Sequence, residues 1–177
     1  MTTFSGLYRY NMNDILEASA PKFGTTPRVH MVQKVNGIVT ITGEKLYEGQ
    51  FIDAVNKAQE STGKHLNYFT GYANLEESRY DWYFEFEEGA ASQEDAEEFA
   101  KVVDANIKKS NMEYQAKRDS FRLKDPAVFR LVPHSFDLFK KELIDGSGQD
   151  ASRFKPNVLA QNEERHAVIS HYVVSGK

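Results

Sequence analysis

The chain has 177 residues, 40% hydrophobic and 27% charged, a balance that places it among folded globular proteins and excludes disordered and collagen-like classes. Its net charge of -4 gives no electrostatic reason to bind nucleic acid, whose protein partners carry a basic excess. The absence of cysteine removes disulfides, thiolate metal sites and a cysteine nucleophile, and no apolar run approaches the ~18 residues needed to span a bilayer. Nothing at the amino terminus has the basic, apolar and small-residue order of a signal peptide. A cytoplasmic protein, long enough to bury a single real core, is expected.

The first distinctive stretch is Tyr8-Arg9-Tyr10, followed by Asp14 just before the apolar run Ile15-Leu16-Glu17-Ala18. An ionised aspartate offers two acceptor oxygens and can take hydrogen bonds from a pair of neighbouring hydroxyls, as a ribose diol presents them. The plainer reading makes Asp14 a turn cap and Arg9 a solvated strand residue. Pro21 to Pro27 reads as a loop, punctuated by two prolines and a glycine. Arg28 to Val35 and Ile38 to Thr42 are β-branched runs separated by Asn36-Gly37, a pattern that predicts a hairpin. A helix follows, with Tyr47, Phe51, Val55 and Ala58 at helical spacing and Gly63 as its C-terminal cap.

Lys64 to Leu75 and Arg79 to Glu87 read as two antiparallel strands joined by Glu76-Glu77-Ser78. In the second, Tyr80, Trp82, Phe84 and Phe86 alternate with Asp81, Tyr83 and Glu85, which predicts a half-buried strand with rings inward and charge outward. Ser92 and Asp95 form a capping box for a helix with the apolar stripe Phe99, Ala100, Val103 and Ile107. Ser110 and Glu113 repeat that box for a second helix. Pro126 to Val132 reads as a strand, and Ser135 opens a helix through Leu143 that Gly146 ends. The fold class is therefore α+β: an antiparallel or mixed β-sheet with helices packed mainly on one side. Asp145 to Phe154 has the composition of a mobile surface loop, and it runs into Lys155-Pro156. Proline biases Lys155 to extended backbone at the end of that loop. The five histidines are scattered, and no metal site is expected.

Tyr8-Arg9-Tyr10 to Asp14, Lys34, the segment Thr42 to Glu48, and Phe154-Lys155-Pro156 resemble, in order and spacing, the carboxy-terminal third of the auxin-responsive promoter family. These are acyl acid amido synthetases within the adenylate-forming superfamily. The resemblance implies that Asp14 holds the ribose hydroxyls of a nucleotide, with Tyr8, Arg9 and Lys34 on the nucleotide side. It implies that Lys155 is the catalytic lysine of adenylation, reaching the phosphate and the acyl carboxylate. Gln33-Lys34 falls where the superfamily has its interdomain hinge, near residues 33–35, with residues 1–20 forming the nucleotide-motif segment before it. Lys45 and Glu48 match a pair opening the following helix and are further site candidates, with an exposed salt bridge as the plainer alternative. Asn11 and Asn13 stand where plant conjugating enzymes have arginine and glycine, and Gly37 is an extra residue. These departures put hormone substrates in doubt more than the adenylating architecture.

The implied cofactor is ATP, with Mg2+, in the full enzyme, and none held tightly by this piece. The implied partners are the amino-terminal adenylation domain, a carboxylic acid, and an amino acid or thiol. Neither nucleic acid nor membrane is among them. The chain begins abruptly, as a fragment or a reading frame starting inside a longer gene would. It lacks the phosphate-binding loop of the missing two thirds, so the isolated chain is expected to be inactive, with an exposed face through which it can dimerise. The alternative is a free-standing α+β module that binds a small ligand or a protein without catalysis.

Overall fold

The protein is described by a computed structural model at residues 6, 8, 14–23, 26–34, 37–87, 91–147, 154 and 157–174. They belong to two units, Met1–Gly37 and Ile38–Lys177. In the first, β1 (Asp14–Phe23) pairs antiparallel with β2 (Thr26–Lys34). Two sequence expectations fail here. Pro21 to Phe23 continue a strand rather than a loop, and β2 pairs backward with β1 rather than forward across Asn36-Gly37, of which Asn36 lies outside the described residues. A turn signal marks where a chain can reverse, but pairing goes to the neighbour with the longer ladder. Here β1 offers 10 residues and the next strand only 2. Leu16 lies opposite Met31 and Ala18 opposite Val29, so all four share one face of the ribbon. Leu16, Val29 and Met31 are each more than half exposed. On the other face Glu17 and His30 meet at 3.1 Å.

The second unit begins with β3 (Ile38–Val39) and β4 (Leu46–Tyr47), an antiparallel pair leading into α1 (Glu48–Thr62). Phe51, Ala54, Val55 and Ala58 are buried at helical spacing, and Gly63, at φ 69°, closes the helix in the left-handed conformation that glycine tolerates. Next come β5 (Leu66–Asn74) and β6 (Arg79–Phe86), antiparallel as expected. The predicted capping box forms at the start of α2 (Gln93–Ser110), where Asp95 N donates to Ser92 Oγ at 3.0 Å and Ser92 N to Asp95 Oδ2 at 2.8 Å. α3 (Met112–Asp119) is capped not by Ser110 but by Asn111, whose Oδ1 accepts from Tyr114 N at 2.9 Å.

β7 (Ala127–Arg130), α4 (Ser135–Ser147), β8 (Leu159–Ala160) and α5 (Glu163–Ser170) complete the unit. α4 continues through Gly146. The main sheet has the order β7-β6-β5-β8, with β8 parallel to β5 and β7 parallel to β6. This is the α+β architecture read from the sequence. α1 to α3 cover one face over a core of Phe51, Trp82, Phe84, Phe99, Val103 and Ile107. Phe51 and Trp82 pack at 5.5 Å between centroids and Phe84 meets Phe99 edge-on at 5.3 Å. Truncating one such ring to alanine costs ~3–5 kcal/mol. α4 and α5 add a smaller cluster with Tyr72, Tyr83, Leu131, Phe139 and Ile169 on the other face.

That second layer corrects the reading of β6 as half-buried. Asp81, Tyr83 and Glu85 are buried as fully as the ring face. Burial is tolerated because each polar group is partnered. Asp81 accepts from Arg79 Nε and Asn74 Nδ2, both at 2.9 Å, and Glu85 accepts from His134 N at 2.8 Å and Ser135 Oγ at 2.5 Å. Glu85 thereby caps the start of α4 from a neighbouring strand. Among the described residues no helix is long and apolar enough to cross a membrane.

Candidate functional site

The junction where β8 joins the sheet is built by α1 and β5. Gly71 N donates to Val158 O at 2.8 Å, and the buried Thr70 hydroxyl lies 3.3 Å from the carbonyl oxygens of both Asn157 and Val158. Glycine is required at 71 because a Cβ there would stand 3.1 Å from Leu159 Cδ1 and 3.2 Å from both Phe51 Cε1 and Trp82 Cδ1. From the first turn of α1, Glu48 Oε1 accepts from Val158 N at 2.6 Å and lies 3.4 Å from Leu159 N. Glu48 makes no ion pair with Lys45, which is exposed and offers only its carbonyl to Asn111 Nδ2 at 2.8 Å. The exposed salt bridge is thus replaced by a tether across the fold.

Phe154 is anchored separately, in the cluster beneath α4 and α5. Its ring meets Phe136 at 6.3 Å and Phe139 at 6.5 Å, and the guanidinium of Arg165 lies 5.5 Å from its centroid. Lys155 lies outside the described residues, as does Arg9. The backbones of Asp14 and Lys34 are directly opposite in the β1–β2 ladder, while their side chains lie outside what is described. Tyr8 is 79% exposed. The described part of the site is therefore the anchored chain on either side of 155, together with the register that brings positions 14 and 34 together.

Two polar clusters escaped the sequence reading. Glu44 is fully buried and accepts four hydrogen bonds, from Ile41 N (3.0 Å), Thr42 N (2.9 Å), Thr42 Oγ1 (2.8 Å) and Tyr80 OH (2.7 Å). Burial pushes its pKa up, but those donors more than offset it and hold the carboxyl below its ordinary value. Burial and the neighbouring carboxylate push the Tyr80 phenol well up. The second cluster centres on His166, whose Nε2 lies 2.9 Å from Tyr83 OH and 3.2 Å from Asp81 Oδ2, with Tyr72 stacked on the ring at 5.2 Å. Burial opposes the Asp81 charge, yet His166, Asn74 and Arg79 together keep its carboxyl below the usual range, while burial raises the Tyr72 phenol to about 12. His166 edges a cleft of about 600 Å³ together with Asn74, Glu76, Gln161 and Asn162. The signal for this cluster was the Asp81 and Tyr83 alternation, which a two-faced strand reading assigns to solvent.

Comparison with known proteins adds a lineage to this geometry. The profile of the GH3 family C-terminal domain matches residues 49–164. An indole-3-acetic acid-amido synthetase, GH3.17 of Arabidopsis thaliana, is 33% identical over 79 residues, spanning 42% of this chain and 13% of that protein. Among solved structures, GH3.15 acyl acid amido synthetase superposes with a TM-score of 0.79 at 24% identity, covering 98% of this chain and 32% of the other. A GH3.15 complex with 2,4-DB gives 0.74 at the same identity and coverage. The chain thus spans about a third of the solved proteins whose fold it shares.

Proposed function

Because the chain belongs to the GH3 family, as its carboxy-terminal domain, we propose that it is the lid of an ATP-dependent ligase that activates a carboxylic acid as its adenylate and passes the acyl group to an amine. The single observation carrying this reading is the bracket around Lys155: Phe154 locked into one aromatic cluster and Asn157 to Leu159 locked onto α1 and β5. A lysine on a two-residue span between anchors delivers its charge from a defined place, which a surface lysine does not require.

Adenylation joins two anions and builds negative charge on the α-phosphoryl group as pyrophosphate leaves. A cation that arrives only in the reacting arrangement lowers the barrier without tightening ground-state binding. Lys155 supplies that cation, and Asp14 holds the ribose hydroxyls, with Tyr8, Arg9 and Lys34 beside the nucleotide. ATP with Mg2+ is the substrate. The partner is the amino-terminal portion that carries the phosphate loop and acyl pocket, and residues 33–35 act as the hinge to it. The exposed apolar face of the β1–β2 ribbon, with Leu16, Val29 and Met31, suits burial against that portion.

ATP–pyrophosphate exchange tests the reading. The isolated chain is expected to give none, since one carboxylate and one lysine do not make a phosphate cradle. In the full-length enzyme, Lys155→Ala is expected to lower exchange on the order of 100- to 1,000-fold, with transfer from preformed acyl adenylate little changed. Exchange by the isolated chain, or full exchange by the Lys155 variant, overturns it.

A further inference from the structure

Glu48 stands at a helix start, where a carboxylate ordinarily caps its own helix or faces solvent. Here it does neither. Its Oε1 accepts from Val158 N at 2.6 Å and lies 3.4 Å from Leu159 N, contacts made across 110 and 111 positions of sequence. The helix end that carries it is itself fixed. Gln50 Oε1 accepts from Tyr47 N at 3.3 Å and from Asn111 Nδ2 at 3.0 Å, and Gln50 Nε2 donates to Ser110 O at 3.2 Å. The first turn of α1 is thereby tied to the junction of α2 and α3, so the tether at Val158 has a rigid origin.

On the far side of position 155, Phe154 is held by Phe136, Phe139 and Arg165. Only residues 155 and 156 separate the two anchored stretches. At ~3.3–3.6 Å of reach per residue, so short a span leaves the base of the lysine stem little room beyond what its anchors allow. Thr70 and Gly71 bind carbonyl groups of this segment, whereas Glu48 is what takes the N–H groups at its start. A charged acceptor on backbone N–H groups is also the stronger kind of hydrogen bond.

We propose that Glu48 is a positioning residue for Lys155: by holding the Val158 and Leu159 N–H groups it sets the place from which the lysine reaches the α-phosphoryl group. The inference rests on the reading of Lys155 as the adenylation lysine, and the experiment separates the two. In the 177-residue chain, Glu48→Ala is expected to speed amide exchange at Val158 and Leu159 at least 10-fold, while Glu48→Gln, which keeps an acceptor oxygen, leaves it within about 3-fold of the parent.

In the full-length enzyme, Glu48→Ala is expected to lower kcat for ATP–pyrophosphate exchange by about 10- to 100-fold with the KM for ATP little changed, as a misplacement of about 1 Å would. Glu48→Gln restores most of the rate. In a Lys155→Ala background, Glu48→Ala adds no further loss, because there is no longer a lysine to place. A purely structural Glu48 would add its loss in either background, and that additive result overturns the inference. So does a Glu48→Ala enzyme at the parental rate while Lys155→Ala is impaired. If Lys155→Ala itself is unimpaired, the underlying reading of the lysine fails instead. Should Glu48→Ala not fold, Glu48→Asp, which draws the carboxylate back by one methylene, carries the same comparison.

Discussion

Glu44→Gln offers a sharp test of the buried polar network beside α1. Each carboxylate oxygen of Glu44 accepts one backbone N–H and one hydroxyl: Oε1 takes Ile41 N and Tyr80 OH, and Oε2 takes Thr42 N and Thr42 Oγ1. The hydroxyls can rotate, but the backbone N–H groups cannot. Whichever way the glutamine amide is turned, its NH2 faces a fixed donor and leaves it unsatisfied at a fully buried position. That stranded donor costs ~1–3 kcal/mol, and the remaining bonds lose their charge assistance. A loss of about 2–4 kcal/mol follows, on the order of a 5–15 °C fall in Tm. The pH dependence has a definite sign. Donors hold the folded pKa of Glu44 below the model value of 4.5, so its stabilisation is complete above about pH 4.5 and is lost as the pH falls through the folded value. Circular-dichroism melts of parent and variant from pH 7 downward should converge in acid, because glutamine has no proton to gain. Equal Tm values at pH 7, or a gap that persists unchanged into acid, would refute the reasoning.

Two further substitutions follow from the same packing. Gly71→Ala places a methyl 3.1–3.2 Å from Leu159, Phe51 and Trp82, and is expected to cost ~1–3 kcal/mol in urea unfolding while loosening β8. Arg118→Met removes the buried guanidinium that bonds Asp104, Leu123 O and Asp125. It leaves Asp104 with Lys108 and Tyr114 and should destabilise by about 3 kcal/mol, whereas pairing it with Asp104→Leu should recover most of that loss on thermal denaturation.

Local patterns made part of this fold legible in the sequence. Phe51, Val55 and Ala58 gave α1 by spacing, Ser92 and Asp95 gave the start of α2 by capping chemistry, and the aromatic alternation gave β6 and its antiparallel partner. Each depends on residues within one turn or one strand. What stayed hidden depends on partners far along the chain. Asp81 reads as a solvent-facing acid until His166 is placed against it, and Glu85 until α4 brings Ser135 to its carboxylate. Likewise Asn36-Gly37 spoke for a hairpin, but only the length of β1 could decide which strand β2 would join. At the candidate site, family motifs pointed to Lys155 and Asp14. Glu48, read locally, pointed to its neighbour Lys45, although its actual partners lie at Val158 and Leu159.

The anchoring around position 155 also bears on what moves when such an enzyme closes. The composition of residues 145–154 suggested a loop that swings by itself. Yet α4 occupies that stretch as far as Ser147, Phe154 belongs to the cluster on the α4–α5 face, and Val158 and Leu159 pack into the core on the opposite face. A chain fastened to both layers of the sheet within a few residues cannot travel without them. Motion that brings Lys155 to a nucleotide is then carried by the second unit as a body, turning about residues near its boundary at Gly37 and Ile38. In that arrangement the precision of the lysine is set by the stability of the whole unit. Substitutions in either face, far from any substrate, should therefore be felt first in adenylation and only later in global unfolding.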